Sequence, residues 1–112
     1  MKQIFAIPLE NGHLCSHFGH CQQFSIIEVE DNVITGERLI TPPPHEPGLL
    51  PGWLAERSVT HVIAGGMGQR ALDLFSAQNI QVSVGAEPKS SVALVTDWIH
   101  NELSTGKNAC DH

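Results

Sequence analysis

Apolar and polar positions change rhythm along the chain, and each change marks an element. Ile4, Phe5, Ala6 and Ile7 form an apolar run closed by Pro8, and Glu10, Asn11 and Gly12 carry turn chemistry, so a first strand is expected over residues 2–8. Residues 24–30 have strand composition, Asp31 and Asn32 read as a hairpin turn, and residues 33–40 return as the second arm. Five of the seven prolines fall in residues 41–52, which must be largely an irregular connection leading to a short helix over residues 49–57. Residues 61–64 form a short apolar strand running into Gly65, Gly66, Met67 and Gly68, after which Ala71, Leu72 and Phe75 recur at helical spacing. Residues 80–85 read as another strand. Val92, Val95, Ile99 and Leu103 form a helical stripe over residues 90–103, with Ser90 or Ser91 as N-cap and an end at Gly106. A hairpin followed by strand, helix, strand, helix predicts an α/β fold with a mixed sheet.

A chain of 112 residues with 41% hydrophobic and 16% charged positions has enough apolar material for one core. We expect one domain over residues 1–105 and a flexible Cys/His tail over residues 106–112. Six basic against twelve acidic residues give a formal charge of -6, and the basic residues are scattered, which argues against nucleic acid or an anionic membrane as partner. The apolar run at the start is too short for a signal peptide and nothing later approaches a membrane span, so the expected compartment is the cytoplasm. In such a reducing compartment, three cysteines point to metal binding, redox chemistry or burial and away from a disulfide framework.

The densest chemistry is Cys15-Ser16-His17-Phe18-Gly19-His20-Cys21, two thiols and two imidazoles on a loop between strands. Thiolate with imidazole suits zinc, copper or iron–sulfur species, and Gly19 lets the backbone turn so that neighbours reach one ion. Free cysteine is also among the residue types most often simply buried. Cys110 and His112 stand in a terminal segment with no packing need for either. His45 sits among prolines that would hold its imidazole in place. His13 and His100 read as surface residues, and His61 begins a strand. The turn at Gly65, Gly66, Met67 and Gly68 could present backbone amides and a helix N-terminus to an anion, although it has neither a P-loop lysine nor a full dinucleotide fingerprint. Catalytic signatures are sparse, since there is no Tyr, no G-x-S-x-G elbow and no carboxylate pair on the strands, so an enzyme is not expected.

The early strand, the H-F-G at His17, Phe18 and Gly19, the A-G-G-M-G from Ala64 to Gly68 with Arg70 and Ala71 behind it, and the stretch from Asn79 to Gly85 together resemble the dinitrogenase iron–molybdenum cofactor biosynthesis family, the NifX-like proteins and their small stand-alone relatives. H-F-G-H-C, P-P-P-H-E-P-G and a terminal C-D-H resemble one subgroup of it. The resemblance implies a ribonuclease-H-like fold with a mixed five-stranded sheet flanked by helices, and a cytoplasmic carrier of an iron–sulfur or iron–molybdenum type cluster. The expected metal ligands are His17, His20, Cys21, His45, Cys110 and His112, four of them at a time, with Gly65, Gly66, Met67 and Gly68 facing the cluster. Zinc fits the same donors. Partners would be the cluster itself and the proteins that donate or receive it, and a homodimer sharing ligands across a two-fold axis is compatible with a loop-borne site. The alternatives are a structural zinc site in an interaction domain, told apart by unfolding on chelation, and a small thiol enzyme using Cys21, told apart by a reactive, low-pKa thiol.

Overall fold

A computed structural model describes residues 2–15, 21–43 and 48–103. In chain order the elements are β1 Lys2–Glu10, β2 His13–Leu14, β3 Gln23–Glu30, β4 Val33–Ile40, α1 Leu49–Ala55, β5 His61–Ile63, α2 Gln69–Ala77, β6 Gln81–Ser83 and α3 Ser91–Ile99. The sheet runs β4-β3-β1-β5-β6, with β2 added to β1. β3 and β2 lie antiparallel to β1, β4 lies antiparallel to β3, and β5 and β6 continue the sheet in parallel. The mixed sheet agrees with the expectation. Its strand number does not, since the sheet has six strands among the described residues and not five. The additional strand is β2, whose two residues are too few to show alternation; what creates it is the turn before it. Asn11 and Gly12 both have positive φ, 54° and 81°, the type I′ geometry whose twist matches a tight hairpin. β1 therefore runs two residues past Pro8 and folds straight back. Asp31 and Asn32, at 51° and 65°, do the same between β3 and β4.

The helices are shorter than their apolar stripes suggest. Ser90 caps α3, its Oγ accepting from the Ala93 amide at 3.3 Å. The helix stops at Ile99, well before Gly106, because Asn101 turns left-handed at φ 57°. Leu103 still packs on the core beyond the helix end. α1 likewise ends at Ala55, with Ser58 at φ 63° closing the chain reversal. Among the described residues, no helix is long and apolar enough to cross a membrane.

Two apolar clusters sandwich the sheet. On one face Ala6, Phe24, Ile26 and Val62 meet Leu50 and Leu54 of α1 and Phe75 of α2. On the other face Phe5, Ile7, Ile27, Val29 and Ile63 meet Leu94 and Val95 of α3. A polar clamp fixes α3 to the sheet: the hydroxyls of buried Ser25 and Ser91 both donate to Glu37 Oε2, at 3.1 and 3.0 Å. A bulge lets β4 aim that carboxylate, because Val29 pairs with Ile34 and Glu28 with Gly36, leaving Thr35 as the extra residue.

His61 opens β5, as the sequence suggests, but it is no bystander. Its ring stacks on Phe5 at 4.8 Å, Trp98 of α3 meets it edge-on at 5.0 Å, and Thr60 Oγ1 lies 2.7 Å from Nδ1. Burial lowers the imidazole pKa below its ordinary 6.5, with the Gln81 side chain opposing the shift. The folded protein therefore resists a proton that the unfolded chain accepts. Stability should be full above 6.5, fall as pH drops through that value, and level off below the folded pKa. Thermal unfolding midpoints between about pH 7 and pH 5 test this. His61→Phe, which keeps the aromatic stack, should flatten the slope, and an unchanged slope in that variant would assign it elsewhere.

Candidate functional site

β1, β5 and β6 run parallel, so their carboxyl ends open on one edge, the usual place for ligands in sheets with parallel strands. The described edge has two parts, the base of the Cys/His loop and the glycine turn. β1 delivers the loop. Cys15 N–H donates to Pro8 O and Gln22 N–H donates to Leu9 O, both at 2.9 Å, so both ends of the loop are stitched to consecutive carbonyls of β1. β3 already occupies one side of Leu9, so β2 takes the other, just past the end of β5. Cys15 is thereby placed on the glycine-turn side.

The turn begins where β5 ends. Ala64 N–H donates to Ser83 O, Gly85 N–H to Gly65 O and Ala86 N–H to Ala64 O, which extends the ladder past both strands and holds the turn against the loop after β6. Gly65, Gly66 and Met67 are buried, while Gly68 is exposed and serves as N-cap of α2. α2 has no side-chain cap and no acidic residue in its first turn, and Arg70 stands there exposed, so this helix end is electropositive. At φ -68° and ψ 157°, Gly68 has an extended backbone that any residue can adopt, and a Cβ built on it would meet nothing within 4 Å. Neither strain nor crowding calls for glycine there. A bare backbone at that point leaves room for a group approaching from outside.

Cys21 is half-buried against the α1 and α2 cluster. Burial, and secondarily the neighbouring Cys15 thiol, push its pKa from 9.0 up to about 12, with a backbone hydrogen bond opposing. The thiol is thus protonated at neutral pH. Cys15 is 3% exposed, and its Sγ donates to Glu10 Oε2 at 3.6 Å. Of the expected metal ligands, Cys21 is the one within the described residues; His17, His20, His45, Cys110 and His112 lie outside them. The four residues of the glycine turn are described and lie at the same sheet edge as Cys21. Among the described residues no three His, Cys, Asp or Glu side chains come together as a metal-holding group. His13 and His100 are exposed. Glu10 reads along the chain only as a turn residue; its place at Cys15 depends on Cys15 folding back beside β1 through the two-residue β2.

A family model described as dinitrogenase iron-molybdenum cofactor matches residues 1–101. An uncharacterized protein of Methanocaldococcus jannaschii is 30% identical over 82 residues, 69% of this chain and 70% of that protein. The crystal structure of PH0822 superposes with a TM-score of 0.89 at 22% identity, over 98% of this chain and 100% of the other. The apo form of the orange protein from Desulfovibrio gigas superposes with a TM-score of 0.77 at 16% identity, over 95% of this chain and 94% of that one. At these identities the two structures speak for the fold alone.

Proposed function

The chain belongs to the dinitrogenase iron-molybdenum cofactor family, and we propose on that premise that it binds and carries an iron–sulfur or iron–molybdenum type cluster as cargo, without turnover of its own. Cys21 supplies one thiolate. Cys110 supplies a second, and His17, His20, His45 and His112 supply imidazole, four of the six at a time. The amides around Gly65, Gly66, Met67 and Gly68 face the anionic side of the cluster. The observation that carries this reading is the position of Cys21 and the uncapped glycine turn on one sheet edge, with open space where a Gly68 side chain would be. The reading keeps the ribonuclease-H-like description of the sheet, a cytoplasmic setting, cluster-donating and cluster-receiving partners, and a homodimer as a compatible form.

Two features favour carriage over the alternatives. An apolar cluster lies on each face of the sheet, so the fold has its own sources of stability and the apo-protein should remain folded, whereas a structural zinc site would unfold on chelation. A Cys21 thiol with its pKa at about 12 is a poor free nucleophile, which disfavours a thiol enzyme.

Protein purified without air should carry metal and sulfide and absorb in the visible range; no specific binding of any metal or cluster would end this reading. Gly68→Ala should reduce the bound cargo several-fold while changing stability by less than about 1 kcal/mol. Full cargo in a folded Gly68→Ala protein would remove the turn from the site.

A further inference from the structure

The described sheet ends in two edge strands, β4 and β6, and they are built differently. β4 carries exposed Glu37 and Arg38 and the bulge at Thr35, devices that keep a strand edge from pairing with another chain. β6 has none of them, since residues 74–86 include no charged residue and no proline and its pairing with β5 runs without a bulge. Register fixes which backbone groups β6 leaves open. Gln81 N–H donates to Thr60 O, Ser83 O accepts from Ala64 N–H, and Gly85 N–H donates to Gly65 O, so residues 81, 83 and 85 turn their groups toward β5 and its continuation. Alternate residues turn theirs the other way, so the N–H and C=O of Val82 and Val84 point out from the sheet edge. Among the described residues no strand lies beyond β6. Along this edge, between β6 and α2, runs a groove of about 440 Å³ lined by Leu72, Ser76, Asn79, Ile80, Gln81 and Val82.

We propose that this edge is the interface of a homodimer, in which β6 of two copies pairs antiparallel about a two-fold axis at Ser83 and joins the two sheets into one. A two-fold contact sets a surface against itself, so the strand must complement its own sequence read backwards. Centred on Ser83, it does. Val82 stands opposite the partner's Val84 and Val84 opposite the partner's Val82, and each pair exchanges both N–H···O bonds, which satisfies every outward group of both residues. A register centred on Val82 would instead set Val84 against the partner's Ile80, whose N–H already donates to Phe75 O. Val82 and Val84 pack toward the α2 side, so half-buried Val84 brings an apolar side chain to the partner's groove. Charge selects the occupant. Each chain has a formal charge of -6, so two copies repel over most of their surfaces, and residues 74–86 let them meet without opposing carboxylates. A basic peptide, which the rest of the surface would attract, finds no carboxylate in that stretch to fix it. The axis stands perpendicular to the sheet, so the carboxyl ends of the parallel strands point opposite ways in the two copies. This dimer therefore shares no cargo ligands across its axis, and it rests on no part of the cargo reading.

Sedimentation of the full chain over a concentration series should give twice the mass of one chain, and amide exchange at Val82 and Val84 should slow as the dimer forms. Ser83→Lys sets two like charges directly opposite each other at the axis and should raise the dissociation constant by at least about tenfold. Ser83→Cys tests the register without relying on that variant. Residues opposite each other at a non-hydrogen-bonded position are close enough for a disulfide, so mild oxidation should link two copies through residue 83, as peptide mapping would show. A wild-type chain that stays monomeric up to about 1 mM would overturn the proposal. So would a dimer that Ser83→Lys leaves intact, or one in which the Val82 and Val84 amides exchange freely. A monomer in which those amides are protected would mean that the chain covers its own edge, which also overturns it. A dimer that binds no metal or cluster removes the cargo reading alone, and a monomer that carries a cluster removes this interface alone.

Discussion

Replacing Cys21 by serine is expected to strip the protein of most of its bound metal and sulfide while leaving the fold intact. Cys21 is the one expected ligand that the described fold itself holds in place, through the Gln22 hydrogen bond to β1 and its packing on the α1 and α2 cluster. A hydroxyl of similar size fills the same half-buried position but is a far weaker ligand for soft ions, so metal content should fall by at least about tenfold. Its effect on the apo-protein should stay within about 1 kcal/mol. A pH series adds a second readout. A metal must displace a proton from a thiol whose pKa lies near 12, so apparent affinity should rise by about tenfold per pH unit for each proton released. The apo-protein should lose stability as pH rises above 9.0, because the unfolded chain ionises there while the folded one holds its proton until about 12. Cys21→Ser should remove the second dependence and reduce the first by the one proton that Cys21 releases. Elemental analysis, and unfolding curves measured on either side of pH 9, check them; undiminished metal in a folded Cys21→Ser protein would remove Cys21 from the site.

Phe75→Ala should be the most destabilising of the substitutions considered. Phe75 is the one buried residue of α2, and it joins that helix to Ala6, Val62 and Met67 in the cluster on that face. Its carbonyl also accepts from the amides of Gln78 and Ile80, which closes the helix and aims the chain into β6. Deleting a buried phenyl ring costs about 3–5 kcal/mol, a large part of the 5–15 kcal/mol that typically holds a domain together. The midpoint of thermal unfolding should drop by more than about 12 °C. Because α2 carries Gly68 at its start, loosening the helix should also weaken cargo binding from a distance. Leu72→Ala, at a half-buried position of the same helix, should cost less. A loss below about 1 kcal/mol for Phe75→Ala would mean that α2 is held by other contacts.

Local chemistry made much of the architecture legible. Asn11-Gly12 and Asp31-Asn32 favour positive φ through their own side chains or lack of one, Ser90 caps the helix that follows it, and the prolines of residues 41–52 keep most of that stretch from a regular element. What failed were the ends and the small pieces. β2 is too short to show a period, and α3 ends where Asn101 turns left-handed although its apolar stripe continues to Leu103. The same limit applied to the site. A glycine turn ahead of a helix and two cysteines flanking a loop can be read along the chain. Which face Cys21 packs on cannot, because it depends on where α1 and α2 cover the sheet beside Ala6 and Phe24.

The chain alone, then, determined the α/β class, the order of its major elements, and the donors available for a soft metal or cluster, since these follow from periodicity, turn residues and side-chain chemistry carried by neighbours in sequence. Tertiary structure decided that Cys21 packs on the cluster beneath α1 and α2, that Glu10 lies beside Cys15, that Gly68 opens onto space, and that His61 is lodged between Phe5 and Trp98. Each of these depends on how strands register and which faces of the sheet the helices cover, and those contacts join residues that the linear sequence keeps apart.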